Sequence, residues 1–472
     1  MYDYNKISRP VKNFSEVLLI KFGASLIRII DIDEKNQVFT TNLWLDMEWI
    51  DSKLHWDPEV YGGLKKLHIP ADLLWTPDIL LYNNAAGDPE ITIFNDAVVY
   101  YDGRVVWKPP AIYKSFCLID VTWFPYDSQA CVMKFGMWSY GGMFVDMRQL
   151  PENMIKEVVK DDNVVEFLET GMDLSYFYRS AEWDLLRLTS ERHAQIYTSC
   201  CGPSKYVDIT YYFSLRRKTL FYTVNLIIPC FLISFLTTLV FYNSDHKITF
   251  SIGILVTLTV FFLVLIEIIP PTSLVIPMFG KYLLLTIILV TLSISISVVT
   301  VNIHFRRGST NKIPKWVRRV FIEFLPRWLW IDYPEGMLPT SCAGSQSPDI
   351  QNLDDELLEQ SGNESPFFPR KNESAMERQL RLKRQLIIRL LRHVHFIARH
   401  FREMEQDDKE ASEWVFIAMV IDRLFLVIFS LCNIGTLFVI LQAPTLYDKR
   451  GPLAIPEATR PLGQDTLGPA YE

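Results

Sequence analysis

Four uncharged apolar stretches, each long enough to cross a bilayer, limit what this chain can be more than any other feature in it. From Leu220 to Tyr242, LFYTVNLIIPCFLISFLTTLVFY runs without a charge, and a helix of that length spans the roughly 30 Å hydrocarbon layer. The second stretch runs from Ile248 to Ile266, the third from Tyr282 to Val301, and the fourth from Leu424 to Leu441, preceded by Asp422 and Arg423. One such run is compatible with a buried helix of a soluble domain, but four together predict a membrane bundle. Pro229 would kink a soluble helix; in a membrane bundle, neighbours satisfy the freed carbonyl.

Charge sets the orientation. Arg306 and Arg307 follow the third stretch, and MERQLRLKRQLIIRLLRHVHFIARHFR precedes the fourth, so the long connection between them is basic and predicted to be cytoplasmic. Both termini then lie outside. Within the connection, KWVRRVFIEFLPRWLW reads as an amphipathic, aromatic-rich helix at the membrane surface. The segment from Ser341 to about Glu373 reads as disordered, rich in Ser, Pro, Asn and acids. After it, Leu380, Ile387, Leu391, Val394 and Ala398 recur at helical spacing and predict a helix that extends the fourth span into the cytoplasm.

The half before Leu220 reads as β. Short alternating runs broken by turns predict a sandwich or barrel, and YYDGRVVW places Asp102 and Gly103 in a two-residue hairpin turn. In TNLWLDMEW, Leu43, Leu45, Met47 and Trp49 share one face, while Trp44 lies on the polar face with Asn42, Asp46 and Glu48. A large aromatic there is either incidental surface or part of an interface. Tyr197, Tyr206, Tyr211 and Tyr212 crowd one region, and Tyr82 and Trp138 stand in loop-like segments. Taken singly, each aromatic fits a core; converging in space, they would form a cage for a cation.

Seven cysteines divide in the same way as the hydropathy. Cys117, Cys131, Cys200 and Cys201 precede the first span, whereas Cys230, Cys342 and Cys432 lie in or beyond it, so two disulfides in an oxidising exterior and three free thiols are expected. Cys200 and Cys201 are neighbours, with Cα atoms about 3.8 Å apart, closer than the roughly 4.4 to 6.8 Å that ordinary disulfides adopt. The sequon at Asn13 suits an exported segment, and those at Asn363 and Asn372 fall where the cytoplasm is expected. MYDYNKISRP has neither an apolar core nor a small-residue cleavage site, so a leader is expected to have preceded it.

A net charge of -7 with no basic domain argues against nucleic acid. An enzyme is disfavoured: no nucleophile elbow, phosphate loop or metal-spaced cluster stands out, and RHVHFIARH reads as a basic helix. Neither a cofactor nor a metal is expected.

The motifs taken together are specific. The thirteen-residue loop between Cys117 and Cys131 with its FPYD, then WTPDILLYNNAAGD, GMWSYGG, PSKYVDITYYF, NLIIPC and LTVFFLVLIEIIPPTS, resemble those of nicotinic acetylcholine receptor subunits, in the pentameric Cys-loop receptor superfamily. The resemblance covers nearly the whole chain outside the acidic cytoplasmic stretch, and the adjacent cysteines resemble those of the α type. It implies an extracellular β-sandwich ligand-binding domain over 1–218, three membrane helices over 219–304, a cytoplasmic segment over 305–412, a fourth membrane helix over 413–442 and an extracellular tail over 443–472. Function follows by the same resemblance: an acetylcholine-gated cation channel subunit in a postsynaptic plasma membrane, assembled with other receptor subunits in a heteropentamer and contacting membrane lipid. The alternative is a structural subunit that binds no agonist.

Carried onto this sequence, the resemblance implies a cage for acetylcholine or a related cation made of Tyr82, Trp138, Tyr197 and Tyr206, with a Cys200–Cys201 disulfide at the tip of the closing loop. Trp44 would serve a neighbouring subunit's site. Lys134 and Asp208 match a pair that rearranges with the loop tyrosine on binding. The Cys117–Cys131 loop, Arg217 and the segment Pro270, Pro271, Thr272 and Ser273 would couple binding to the pore.

In the second span Thr249, Gly253, Val256, Val260, Leu263 and Glu267 recur by four and three and share one face. Five copies would form an apolar constriction with a carboxylate ring at its outer mouth. Three departures from the family pattern stand out. His246 occupies a position usually acidic, with Asp245 one step further out, so other subunits would supply that charge. Val256 and Gly253 replace a usual leucine and hydroxyl. Two residues, Thr198 and Ser199, separate Tyr197 from Cys200 where one is usual.

Overall fold

The computed structural model describes residues 4–85, 91, 93, 95–160, 163–196, 205–242, 246–268, 275–305, 313–332 and 375–454. Among the described residues, thirteen strands precede the first α-helix and form two sheets, in agreement with the sandwich expectation. The first sheet runs β3 (Lys66–Pro70), β5 (Asp96–Tyr100), β6 (Arg104–Trp107), β2 (Val38–Ile50), β1 (Leu18–Asp33) and β9 (Val145–Gln149), with β7 (Pro110–Phe116) also paired to β2. The second runs β10 (Lys156–Lys160), β11 (Asn163–Leu168), β12 (Trp183–Ile196), β13 (Lys205–Arg217), β8 (Ser128–Met137) and β4 (Ile79–Leu81). Several of these strands are longer than the short runs anticipated: β1 has 16 residues and β12 has 14.

Alternation explains the layering. On β2, Leu43, Leu45, Met47 and Trp49 are buried, as their shared face predicts, and on β13 the odd positions from Val207 to Leu215 are buried. These faces meet across the sandwich: Phe22 lies 5.5 Å from Phe135, and Phe39 lies 5.1 Å edge-on to Phe213. Aromatic side chains bury large areas and favour such tilted contacts, so they account for much of the core's cohesion.

The hairpin at Asp102 and Gly103 corrects an expectation. Three residues, Tyr101 to Gly103, separate β5 from β6 rather than two. Gly103 N–H donates to Tyr100 O at 2.9 Å, and Asp102 Oδ1 accepts from Arg104 N–H at 3.1 Å. Gly103 takes φ +89°, and an added Cβ would stand 2.6 Å from Asp51 O. Only glycine fits both demands.

Among the described residues, four apolar helices are long enough to span a membrane: α1 (Leu220–Leu239), α2 (Lys247–Ile268), α3 (Met278–His304) and the outer part of α5 (Ala375–Ile440). In α1 a π-helical segment, Thr223–Ile227, precedes Pro229, which places the irregular hydrogen bonding next to the missing N–H. The 66 residues of α5 join the basic run to the fourth span without a break, as the periodicity predicts.

The aromatic-rich segment forms α4 over 315–328 and differs in part from expectation. Its inner face does not simply rest on a membrane: Val317 and Ile322 pack in one cluster with Trp414, Phe416, Ile417 and Val420 of α5, while Trp316, Phe324 and Trp328 remain exposed. The apolar stripe is wide enough to serve a protein partner on one side and leave aromatics on the other.

Contacts divide the chain into two compact units. One holds the β domain through Ile233, with Val256–Ile287 and the chain from Ile434 onward; the other holds Ser234–Leu255 and Ile288–Asn433. Replacing Gly103 by Ala is expected to destabilise the β domain by about 1–3 kcal/mol, since a side chain must adopt a left-handed backbone against Asp51 O. A lowered thermal unfolding temperature of the purified protein would register it; an unchanged one would mean the turn relaxes freely.

Candidate ligand site and coupling interface

The outer face of the second sheet departs from ordinary surface. Even positions of β13 point away from the core, yet Asp208 and Thr210 on that face are buried, Asp208 to 2% exposure. A buried carboxylate needs partners, and three converge. Lys134 Nζ lies 3.2 Å from Oδ2, His193 Nδ1 lies 3.1 Å from Oδ1, and Thr210 Oγ1 donates to Oδ1 at 2.8 Å. The strand register produces this set, since β13 pairs Asp208 with His193 of β12 and Thr210 with Lys134 of β8.

Electrostatics follow the geometry. Burial alone would raise the Asp208 carboxyl, but the hydrogen bond from His193 and the charge of Lys134 outweigh it and hold it below the ordinary carboxylate range. His193 moves the other way: its hydrogen bond to Asp208 raises it against burial, with Glu191 reinforcing the shift through a 3.2 Å contact at Nε2.

Beside this network stand the aromatics. Tyr82 follows β4, its hydroxyl donates to Met137 O at 2.6 Å, and its ring lies 6.1 Å edge-on to Trp138. Lys134 Nζ is 5.9 Å from the Tyr82 ring. Gly136, opposite Asp208 in the register, makes room: an added Cβ would stand 2.5 Å from the phenol. Trp138 is 67% exposed and Tyr206 is partly buried on the same outer face of β13 as Asp208. The structure therefore gathers Tyr82, Trp138 and Lys134, with Asp208 bonded to Lys134. Trp44 is 37% exposed on the first sheet, tilted 5.4 Å from Tyr176, in keeping with a residue available to another chain. Tyr197, Cys200 and Cys201 lie outside the described residues.

A second cluster forms where the β domain meets the first helix. Cys117 and Cys131 are disulfide-bonded, closing the predicted loop. Arg217, the last residue of β13, places Nε 2.7 Å from Asp127 Oδ1 and Nη1 2.7 Å from Glu34 Oε1. Its guanidinium lies 4.3 Å from the Trp183 ring centroid and 5.1 Å from that of Phe124. Burial would lower it, but Asp127 and Glu34 prevail and hold it above the usual arginine range. The same loop grips three further places: Tyr126 and Thr223 hydroxyls lie 3.1 Å apart, Met278 N–H donates to Thr122 O at 2.9 Å, and Thr445 Oγ1 donates to Tyr126 O at 2.5 Å. Pro270, Pro271, Thr272 and Ser273 lie outside the described residues.

On α2 the row of Thr249, Gly253, Val256, Val260, Leu263 and Glu267 is exposed in the protomer, while Ile254, Leu258 and Leu265 on the opposite side are buried. Off this row, Thr259 Oγ1 donates to Val256 O at 2.8 Å, as expected of a helix hydroxyl. Asn13 is exposed, as a glycosylation acceptor requires. Among the described residues no group of His, Cys, Asp and Glu is arranged to hold a metal.

Sequence reasoning misses His193, Gly136 and the acids facing Arg217. Asp127 is within its reach, since it ends the FPYD motif. His193 has no local signal, because its role exists only through strand pairing.

The stabilisation His193 gives is complete below its ordinary value of about 6.5 and is lost as pH rises through the raised folded value. The thermal unfolding temperature of the wild type should exceed that of His193→Gln most near about pH 5.5 and converge toward about pH 8; a constant difference would mean that the imidazole charge contributes nothing. Arg217→Gln leaves Asp127 buried, and Glu34 half-buried, without their cation and should destabilise by about 3–5 kcal/mol, read as the loss of folded protein on heating, with Arg217→Lys recovering only part.

Comparison with known proteins identifies the family. The neurotransmitter-gated ion-channel ligand binding domain matches residues 1–219, and the neurotransmitter-gated ion-channel transmembrane region matches residues 226–440. The acetylcholine receptor subunit alpha-type unc-63 of Caenorhabditis elegans is 44% identical over 470 residues, covering 96% of this chain and 93% of the relative. An alpha-like acetylcholine receptor subunit of Manduca sexta is 45% identical over 96% of this chain and 90% of its own length. The beta-like 2 acetylcholine receptor subunit of Drosophila melanogaster is 42% identical over 96% of this chain and 88% of its own length. With a sandwich, four apolar helices and matches over both regions, the chain belongs to the neurotransmitter-gated ion channels.

Proposed function

We propose that this chain is an α-type subunit of an acetylcholine-gated cation channel in the plasma membrane, working in a heteropentamer at postsynaptic sites. The observation that carries the reading is the Tyr82 and Trp138 pair, edge to face beside Lys134, whose ammonium is bonded to buried Asp208. Two electron-rich rings, one of them exposed, suit a quaternary ammonium, and Tyr206 with Tyr197 and the Cys200–Cys201 tip would complete the cage from the same chain. Trp44 would close the site of a neighbouring subunit.

Binding then acts on β13, which carries Asp208 near one end and Arg217 at the other. Movement of that strand reaches the Cys117–Cys131 loop through Asp127, and the segment from Pro270 to Ser273 would pass it to α2. Opening follows only to the extent that agonist prefers the open state. The exposed row of α2 would line the pore, narrowest at Val256 and Val260, with Glu267 attracting cations at the outer mouth. The boundaries 1–218, 219–304, 305–412, 413–442 and 443–472 remain the reading of the domains, with both termini outside.

The likeness to a beta-like subunit, nearly as high as to the alpha types, favours one alternative: a structural subunit that lines the pore and binds no agonist through its own loop. Voltage clamp of cells expressing the chain alone and with partner subunits separates the two. Current in the mixtures that is lost with dithiothreitol, and a half-maximal acetylcholine concentration raised at least about tenfold by Trp138→Ala, would support the agonist-binding reading. Current that persists in dithiothreitol, with a half-maximal acetylcholine concentration unchanged by Trp138→Ala, would make this a structural subunit.

A further inference from the structure

The first residue of α2 poses a charge problem that the pore row leaves unanswered. Lys247 opens the helix, where unpaired N–H groups concentrate positive potential, and its side chain is only 5% exposed. An ammonium is disfavoured there by burial and by the helix dipole together. Its counter-charge comes from far along the chain: Asp422 Oδ2 of α5 is ion-paired with Lys247 Nζ, and that carboxylate is itself 16% exposed. Both residues belong to the same compact unit. Thr300 of α3, buried in that unit too, also hydrogen-bonds the Asp422 carboxylate.

What lies on the other side of α2 is equally informative. Thr249, two residues beyond Lys247, begins the exposed row, and His246, immediately before, is exposed. The lysine is therefore turned away from the row and into the chain's own bundle, and the acid at Asp422 is what offsets the cost of that orientation.

We propose that Asp422 is a conductance-determining residue: by holding the Lys247 ammonium inside the protomer as a neutral pair, it keeps positive charge off the inner mouth of the pore. The proposal rests on the reading of the exposed α2 row as pore-lining. A released ammonium at the end of that row would be free to reach toward the ion path and would repel entering cations. Paired with Asp422, its field is that of a small dipole.

Single-channel recording from assemblies containing the full chain decides it. Asp422→Asn should lower unitary cation conductance by about twofold, because Lys247 loses its partner. Adding Lys247→Gln replaces the pair with two neutral amides and should return conductance to the wild-type value. Wild-type conductance in Asp422→Asn would overturn the proposal. So would a double variant that conducts more than wild type, since ions would then have felt Lys247 in spite of Asp422. If Asp422→Asn fails to assemble, the double variant is sufficient: wild-type conductance supports a neutral pair, and higher conductance overturns it. A merely structural role would change channel number and leave unitary conductance unmoved. The pore reading is checked separately by Val260→Cys: no block by a charged thiol reagent sinks that reading, whereas block with unaltered Asp422→Asn conductance sinks only the role of Asp422.

Discussion

Arg217 is the point on which the β domain and the first helix both depend. A guanidinium at the end of β13 is enclosed by two carboxylates and the rings of Phe124, Trp183 and Tyr222, with Asp127 bound through both Nε and Nη2. Few arrangements desolvate a cation so fully, and those that do must satisfy its planar fork as well as its charge. Glu34 comes from the end of the first sheet's β1–β2 hairpin, Asp127 from the disulfide loop and Trp183 from the start of β12. Three segments distant in sequence are thus held by one side chain. The loop so anchored also reaches Thr223, Met278 and Thr445, so the chain meets three different helical neighbourhoods through a single fixed element.

Long-range pattern is legible in the sequence, and cross-strand partnership is not. Four apolar spans, the alternation of β2 and the four-and-three row on α2 are periodic signals, and each reappears in the burial of the folded chain. Residue chemistry locates the turn at Gly103 but leaves its length one residue short, because its type depends on the register of β5 against β6. The site is half visible. Tyr82, Trp138, Lys134 and Asp208 stand in recognisable motifs, but the burial of Asp208 depends on His193, which only the register of β12 and β13 brings alongside. Asp422 illustrates the same limit from the other direction. At the edge of an apolar run it looks like a boundary charge, and its partner lies 175 residues earlier.

Two networks of buried charge meet on β13. On the outer face of the second sheet a carboxylate is held by an ammonium, an imidazole and a hydroxyl, and at the membrane end a guanidinium is held by two carboxylates. Each network is linked to the same strand. Charged pairs of this sort contribute little net stability compared with apolar packing, but they have discrete alternative partners, which apolar contacts lack. A strand that joins two such networks can therefore register a change in one as strain on the other.

β13 is bonded on one side to β12 and on the other to β8, so its register is fixed twice over. Sliding it by a single residue would turn Tyr211 and Phe213 out of the core and Asp208 into it. The span from Tyr206 to Arg217, on the order of 35 Å of strand, behaves as a ruler whose length cannot be edited without reversing its faces. One residue inserted within it would turn every side chain on one side of the insertion to the opposite face, so a change of length is tolerated only outside the strand. The distance between the network around Asp208 and the one around Arg217 is therefore set by residue count alone, and a pull on one end arrives at the other undiminished by slack.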